Sequence, residues 1–171
     1  MAMTAVVALM AVFTGTAHAA PNFESDGYEG NYGERWVGET GGYATGGIET
    51  DGVHAYKGSN NGWLFAGGGW AAQARQFVVR DWADRTDCEA RFWANPQNSE
   101  ERMTLQVWNP NGWVLLASGG GNFVPQGQWS QTVSRRFDLS GTDYVYVQAI
   151  MGAQHHSPQV IRYDEFELEC F

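Results

Sequence analysis

The stretch Cys88-Glu89-Ala90-Arg91-Phe92-Trp93-Ala94-Asn95 decides the fold. Cys88, Ala90, Phe92 and Ala94 alternate with Glu89, Arg91, Trp93 and Asn95, and a period of two marks a strand with one buried face. Residues 102–109 repeat the pattern, with Met103, Leu105 and Val107 inward and Arg102, Thr104, Gln106 and Trp108 outward. Residues 144–152 place Val145, Val147, Ala149 and Met151 inside against Tyr144, Tyr146, Gln148 and Ile150. Residues 161–171 set Phe166, Leu168 and Cys170 against Glu165, Glu167 and Glu169.

Outward from these strands, Gly- and Asn-rich runs punctuate the chain: Gly41-Gly42, Gly46-Gly47, Asn60-Asn61-Gly62, Gly67-Gly68-Gly69, Asn109-Pro110-Asn111-Gly112 and Gly119-Gly120-Gly121. No helical period is sustained between them, which predicts an all-β sandwich or barrel. Further strands are expected near Phe23, at 63–66, 76–79, 113–118 and 129–139, about eight or nine in all. Asn109-Pro110-Asn111-Gly112 has the composition of a hairpin connection.

Residues 1–20 carry no charge and are apolar from Ala5 to Phe13, ending in Ala17-His18-Ala19-Ala20. This is the pattern of a signal peptide, so a secreted, extracellular product is expected. No Lys or Arg precedes the apolar run, so the natural start is expected upstream of Met1. Residues 21–171 suffice for a single domain, which at that size buries roughly 70% of its unfolded surface. No later stretch is long enough to span a bilayer, so no membrane insertion is expected. A net charge of −9 argues against nucleic acid, whose phosphates need clustered cations. The two cysteines, Cys88 and Cys170, both fall on inward faces, and in an oxidising compartment an even count favours a disulfide. It would close a long loop, worth on the order of 4 kcal/mol in the chain-entropy picture.

Several segments, in order, carry a likeness: Asn22-Phe23-Glu24, the early strand Gly52-Val53-His54-Ala55-Tyr56-Lys57-Gly58-Ser59, Phe77-Val78-Val79 followed by residues 88–94, Gly127-Gln128-Trp129-Ser130 running on to Phe137, and Ile161-Arg162-Tyr163-Asp164-Glu165-Phe166-Glu167-Leu168. Over nearly the whole domain this order resembles the jelly-roll carbohydrate-binding modules attached to bacterial glucanases and xylanases, within the galactose-binding-like fold. The resemblance implies a jelly-roll β-sandwich of two antiparallel sheets that holds a polysaccharide or oligosaccharide on a concave sheet face, without catalysis. Its site would fall on Arg91 and Trp93, on Gln106 and Trp108 with Thr104, and on Tyr144, Tyr146 and Gln148. Aromatic rings suit the C–H face of a pyranose, and amides and Arg suit its hydroxyls. The resemblance also implies a core position for Trp129 and a structural calcium held by Glu24 and Asp164. Alternatively, Asp164 pairs with Arg162 or caps a turn.

Two other classes remain open. A small polysaccharide-degrading enzyme, lyase or glycosidase, would draw on Glu100-Glu101, on the Glu165, Glu167, Glu169 stripe or on His155-His156. The first reads better as a solvated turn, the second as a solvated face and the third as exposed loop residues. No motif implies a catalytic cofactor. The third class is an extracellular protein-interaction or inhibitory module without sugar binding. The protein is expected to act as a monomer.

Overall fold

The computed structural model describes residues 22–30, 36–82, 84–139, 141–151 and 158–171. Residues 1–20 and His155-His156 lie outside the described residues. Eleven strands follow in chain order: β1 (Asn22–Asp26), β2 (Trp36–Gly41), β3 (Ala44–Glu49), β4 (Asn61–Ala66), β5 (Trp70–Val78), β6 (Cys88–Pro96), β7 (Glu101–Asn109), β8 (Val114–Val124), β9 (Ser130–Val133), β10 (Tyr144–Met151) and β11 (Gln159–Cys170). They form two antiparallel sheets. The first runs β3-β4-β11-β6-β9, with β1 also paired to β11, and the second runs β2-β5-β10-β7-β8. This is the all-β sandwich that the alternation implied, with eleven strands among the described residues where eight or nine were expected.

The four alternating segments became β6, β7, β10 and β11, and every residue assigned inward in them is buried. Four expectations need correction. The early strand at 52–59 is irregular, because it crosses over β11 as a loop and pairs with no strand. The 129–139 strand shrinks to β9, followed only by bridges at Ser134 and Phe137. Gly46-Gly47 and Gly119-Gly120-Gly121 lie within strands β3 and β8, where turns were expected. A side chain at Gly119 would run into the Val133 carbonyl, and one at Gly120 into that of Met103. Glycine is needed there because neighbouring backbone passes so close. Glu101 is likewise buried at the start of β7 and not in a solvated turn.

β11 serves three partners. Its first half pairs with β4 and its second half with β1, end to end along one edge, while β6 runs along the other. The β11–β6 register slips between Asp164 and Glu167, a bulge with Glu165 at a φ of 46°. Cys88 and Cys170 are directly opposed in this pairing, and the disulfide between them is buried. It joins β6 to the end of β11, as the face assignments required.

Between the sheets, Phe92, Phe166 and Tyr163 pack with Tyr28, whose ring stacks on Trp36 of β2 at 3.8 Å. One ionic contact crosses this core. Arg75 of β5 donates from Nε to Asp26 of β1 at 2.6 Å and from Nη2 to Glu24 at 3.1 Å, and its guanidinium also lies over the Phe77 ring. Desolvation consumes most of what such a contact gains, yet removing one member strands the other's charge. Arg75→Ala should therefore cost about 3–5 kcal/mol in urea denaturation, because Asp26 loses its ion-pair partner in a buried position.

Candidate functional site

The outer face of the second sheet supplies the site. Its register sets outward side chains in rows: Val37, Ala74, Gln148 and Gln106 lie side by side across β2, β5, β10 and β7, and Gln76, Tyr146 and Trp108 form the next row. On β5 the outward residues Ala72 and Ala74 are small, so the surface dips between β2 and β10. The result is a cleft of about 550 Å³ lined by Val37, Glu39 and Ala74 on one side and Trp108, Trp113, Tyr146 and Gln148 on the other.

The aromatic wall depends on the β7–β8 hairpin. Asn109 Oδ1 accepts the Asn111 N–H at 2.9 Å and the Thr142 hydroxyl at 3.1 Å, closing the turn and tying it to the segment before β10. Gly112 and then Trp113 adopt positive φ, 77° and 52°. Glycine does so at no cost, but for a tryptophan the conformation is unfavourable and persists only where the surroundings enforce it. The Trp113 ring stays 65% exposed and lies beside Tyr146, centroids 5.9 Å apart and planes at 23°. Trp108 is directly opposite Tyr146 in the sheet, so three rings form one apolar wall.

Trp108 also orders the polar groups. Its Nε1 donates to Gln106 Oε1 and to Gln148 Oε1, each at 3.1 Å. An indole N–H can only donate, so both amides must turn their carbonyls toward it. Their NH₂ groups then point away and engage no acceptor among the described residues.

The predicted residues divide accordingly. Gln106, Trp108, Tyr146 and Gln148 come together, with Thr104 one row away beside Ile150. Tyr144 is on the same face but beyond the cleft, where its hydroxyl accepts from Arg80 at 3.3 Å. Arg91 and Trp93 are on β6, in the opposite sheet, and cannot share a ligand with the others. There Arg91 is gripped by Glu167, by Glu169 at 2.8 Å and by Glu89 at 3.4 Å, while Tyr56 covers Trp93 in a stack at 4.3 Å. Trp129 packs on Tyr56, on the outside of the first sheet and not in the core. Trp113, Val37 and Glu39 were missed. For Trp113 a signal existed, since it follows a four-residue turn that itself follows the Trp108 strand.

The calcium implied for Glu24 and Asp164 does not fit what surrounds them. Glu24 is opposite Leu168, not Asp164, and binds Arg75. Asp164 is buried and accepts three backbone N–H groups, from Tyr56 and Lys57 on Oδ2 and from Glu165 on Oδ1. Calcium requires six to eight oxygen ligands, whereas this carboxylate is surrounded by donors. Among the described residues no group of three His, Cys, Asp or Glu side chains is arranged to hold a metal. Asp164 thus ties the 51–60 loop to the seam where β4 ends and β1 begins, with Lys57 adding an ion pair to Glu165 at 3.0 Å. Arg162 is engaged elsewhere, by Glu49 at 2.8 Å.

The two sheets define a β-sandwich fold that solved carbohydrate-binding modules share. The xylan-binding CBM22-1 domain of Paenibacillus barcinonensis Xyn10C aligns with a TM-score of 0.60 at 10% identity, over 90% of this chain and 97% of that one. The C-terminal family 22 module of Clostridium thermocellum Xyn10B aligns at 0.55 and 18% identity, over 86% and 91%. The Clostridium thermocellum family 11 module, in complex with a β-1,3-1,4-mixed-linked tetrasaccharide, aligns at 0.55 and 15% identity, over 86% and 94%. At such identities the likeness is one of fold. No protein-family model matches the sequence, and no curated protein matches it either.

Burial pushes the Asp164 carboxyl up from 3.8 to about 7, against the lowering effect of its three N–H donors. The folded chain then holds this proton at pH values where the unfolded chain has lost it. Its contribution to stability is complete below about pH 4 and disappears as pH rises through 7. The difference in melting temperature between the wild type and Asp164→Asn should therefore change over that window, and an equal pH slope for both would refute this. Calorimetry with EDTA is the companion measurement, and the melting temperature should not move.

Proposed function

We propose that the protein is an exported, non-catalytic carbohydrate-binding protein that holds a polysaccharide or oligosaccharide, as a monomer, in the cleft of the second sheet. One observation carries this reading: Trp113 is kept in a left-handed conformation with most of its ring in solvent, next to Tyr146 and above a cleft. Strain at an exposed aromatic has no stabilising return of its own, and such strain gathers at ligand-binding positions. The rings offer flat faces to sugar C–H groups, and the glutamine amides and the Glu39 carboxylate offer partners to hydroxyls. Solved neighbours of the same fold are described with xylan, a mixed-linked tetrasaccharide and β-1,4-galactotriose.

Cleft composition supports binding over hydrolysis. Glycoside hydrolysis ordinarily needs a pair of carboxyl groups flanking the bond, and among the described residues Glu39 is the single carboxylate lining this cleft. Glu167 and Glu169 are occupied by Arg91 on the opposite sheet.

The test is titration calorimetry or affinity electrophoresis against xylan, mixed-linkage glucan and galactan. Trp113→Ala should weaken binding at least about tenfold, as loss of a central aromatic anchor does. Trp113→Gly should do the same without lowering the melting temperature, because glycine relaxes the positive φ. Binding by both variants as tight as that of the wild type would refute the assignment of the site.

A further inference from the structure

Resting on that glycan-binding reading, we propose that the cleft selects uncharged, polyhydroxylated chains and rejects carboxylated ones such as uronate polymers. The two sides of the cleft differ in what they can offer. On the aromatic side, Trp108 spends its one N–H on Gln106 and Gln148, and this leaves the amide N–H groups of both glutamines as free donors beside the rings. The Trp113 indole adds a donor, and the Tyr146 hydroxyl can act either way.

On the facing side, β2 contributes Val37 and Glu39. An ionised carboxylate only accepts, and Glu39 has no ion-pair partner among the described residues. A ligand that spans the cleft must therefore accept hydrogen bonds at one side and donate them at the other. A sugar hydroxyl does both. A carboxylate satisfies the amide side only, and it brings a second negative charge into a confined space with Glu39.

Among the described residues no cation lines the cleft to relieve that repulsion. Arg80 and Arg102 are on the same sheet face but do not line the cleft: Arg80 lies 3.8 Å from Asp143, and Arg102 sits over the Phe123 ring. The chain's net charge of −9 adds a longer-range term of the same sign. Rejection built from an unpaired like charge is a common route to specificity.

The experiment compares matched ligands by titration calorimetry: galactan with polygalacturonate, and neutral xylan with glucuronoxylan, each at about 0.01 M and about 0.1 M salt, where screening lengths differ roughly threefold. The wild type should favour the neutral partner by at least about tenfold at low salt, and less at high salt. Glu39→Gln, which keeps an acceptor and removes the charge, should reduce that preference by about tenfold, a change of the size expected for one like-charge contact. Equal binding of neutral and carboxylated polymers overturns the selectivity while the glycan-binding reading stands, as does a preference that Glu39→Gln leaves unaltered. Failure to bind either neutral polymer, in a wild type that melts cooperatively, overturns both.

Discussion

Everything in this sandwich depends on how β11 satisfies its backbone. One edge of the strand is shared by two partners placed end to end, β4 and β1, and the other is taken by β6. Such an arrangement leaves a seam at Asp164 and Glu165, where neither β4 nor β1 supplies a ladder partner. A buried gap in a ladder is costly unless other groups close it. Here the side chain of Asp164 accepts the seam's own Glu165 N–H on Oδ1 and, on Oδ2, the N–H groups of Tyr56 and Lys57 in the crossing 51–60 loop. Tyr56 is thereby positioned to cover Trp93.

That closure divides the labour between the sheets. The first sheet spends its outer face on itself: Arg91 is ringed by three carboxylates, Arg162 is held by Glu49, and Trp93 lies beneath Tyr56. The second sheet is buttressed from below, through Arg75 on Asp26 and Glu24 and through the Tyr28–Trp36 stack. Its own outer face is left with rings, amides and one carboxylate that no internal partner engages fully. A rigid support and an unspent surface are what a preorganised recognition site requires.

How far the sequence could be read follows from what a period of two encodes. Alternation separates inside from outside, and it did so correctly for every inward position of β6, β7 and β10, while at the end of β6 the outward Asn95 is covered and buried. It says nothing about strand order. Trp93 and Trp108 therefore looked equivalent, although β6 and β7 belong to opposite sheets. At Glu165 the alternation itself fails, since a bulge at positive φ turns an outward residue into a buried one. Glycine runs misled for a related reason, because the same residue that permits a turn also permits close backbone approach within a strand. For Trp113 the turn before it was a signal of position, but nothing in a propensity pattern marks its glycine-like conformation.

The β7–β8 hairpin closes on Asn109 and Thr142, so its tip is anchored at its base and contributes little to the core. The wall it forms is consequently adjustable. Exchanging or lengthening those few tip residues would change which ring borders the cleft, and at what height, while the strands of the frame stayed as they are. A handful of codons at one turn can thus reshape this wall without disturbing the sheets beneath it.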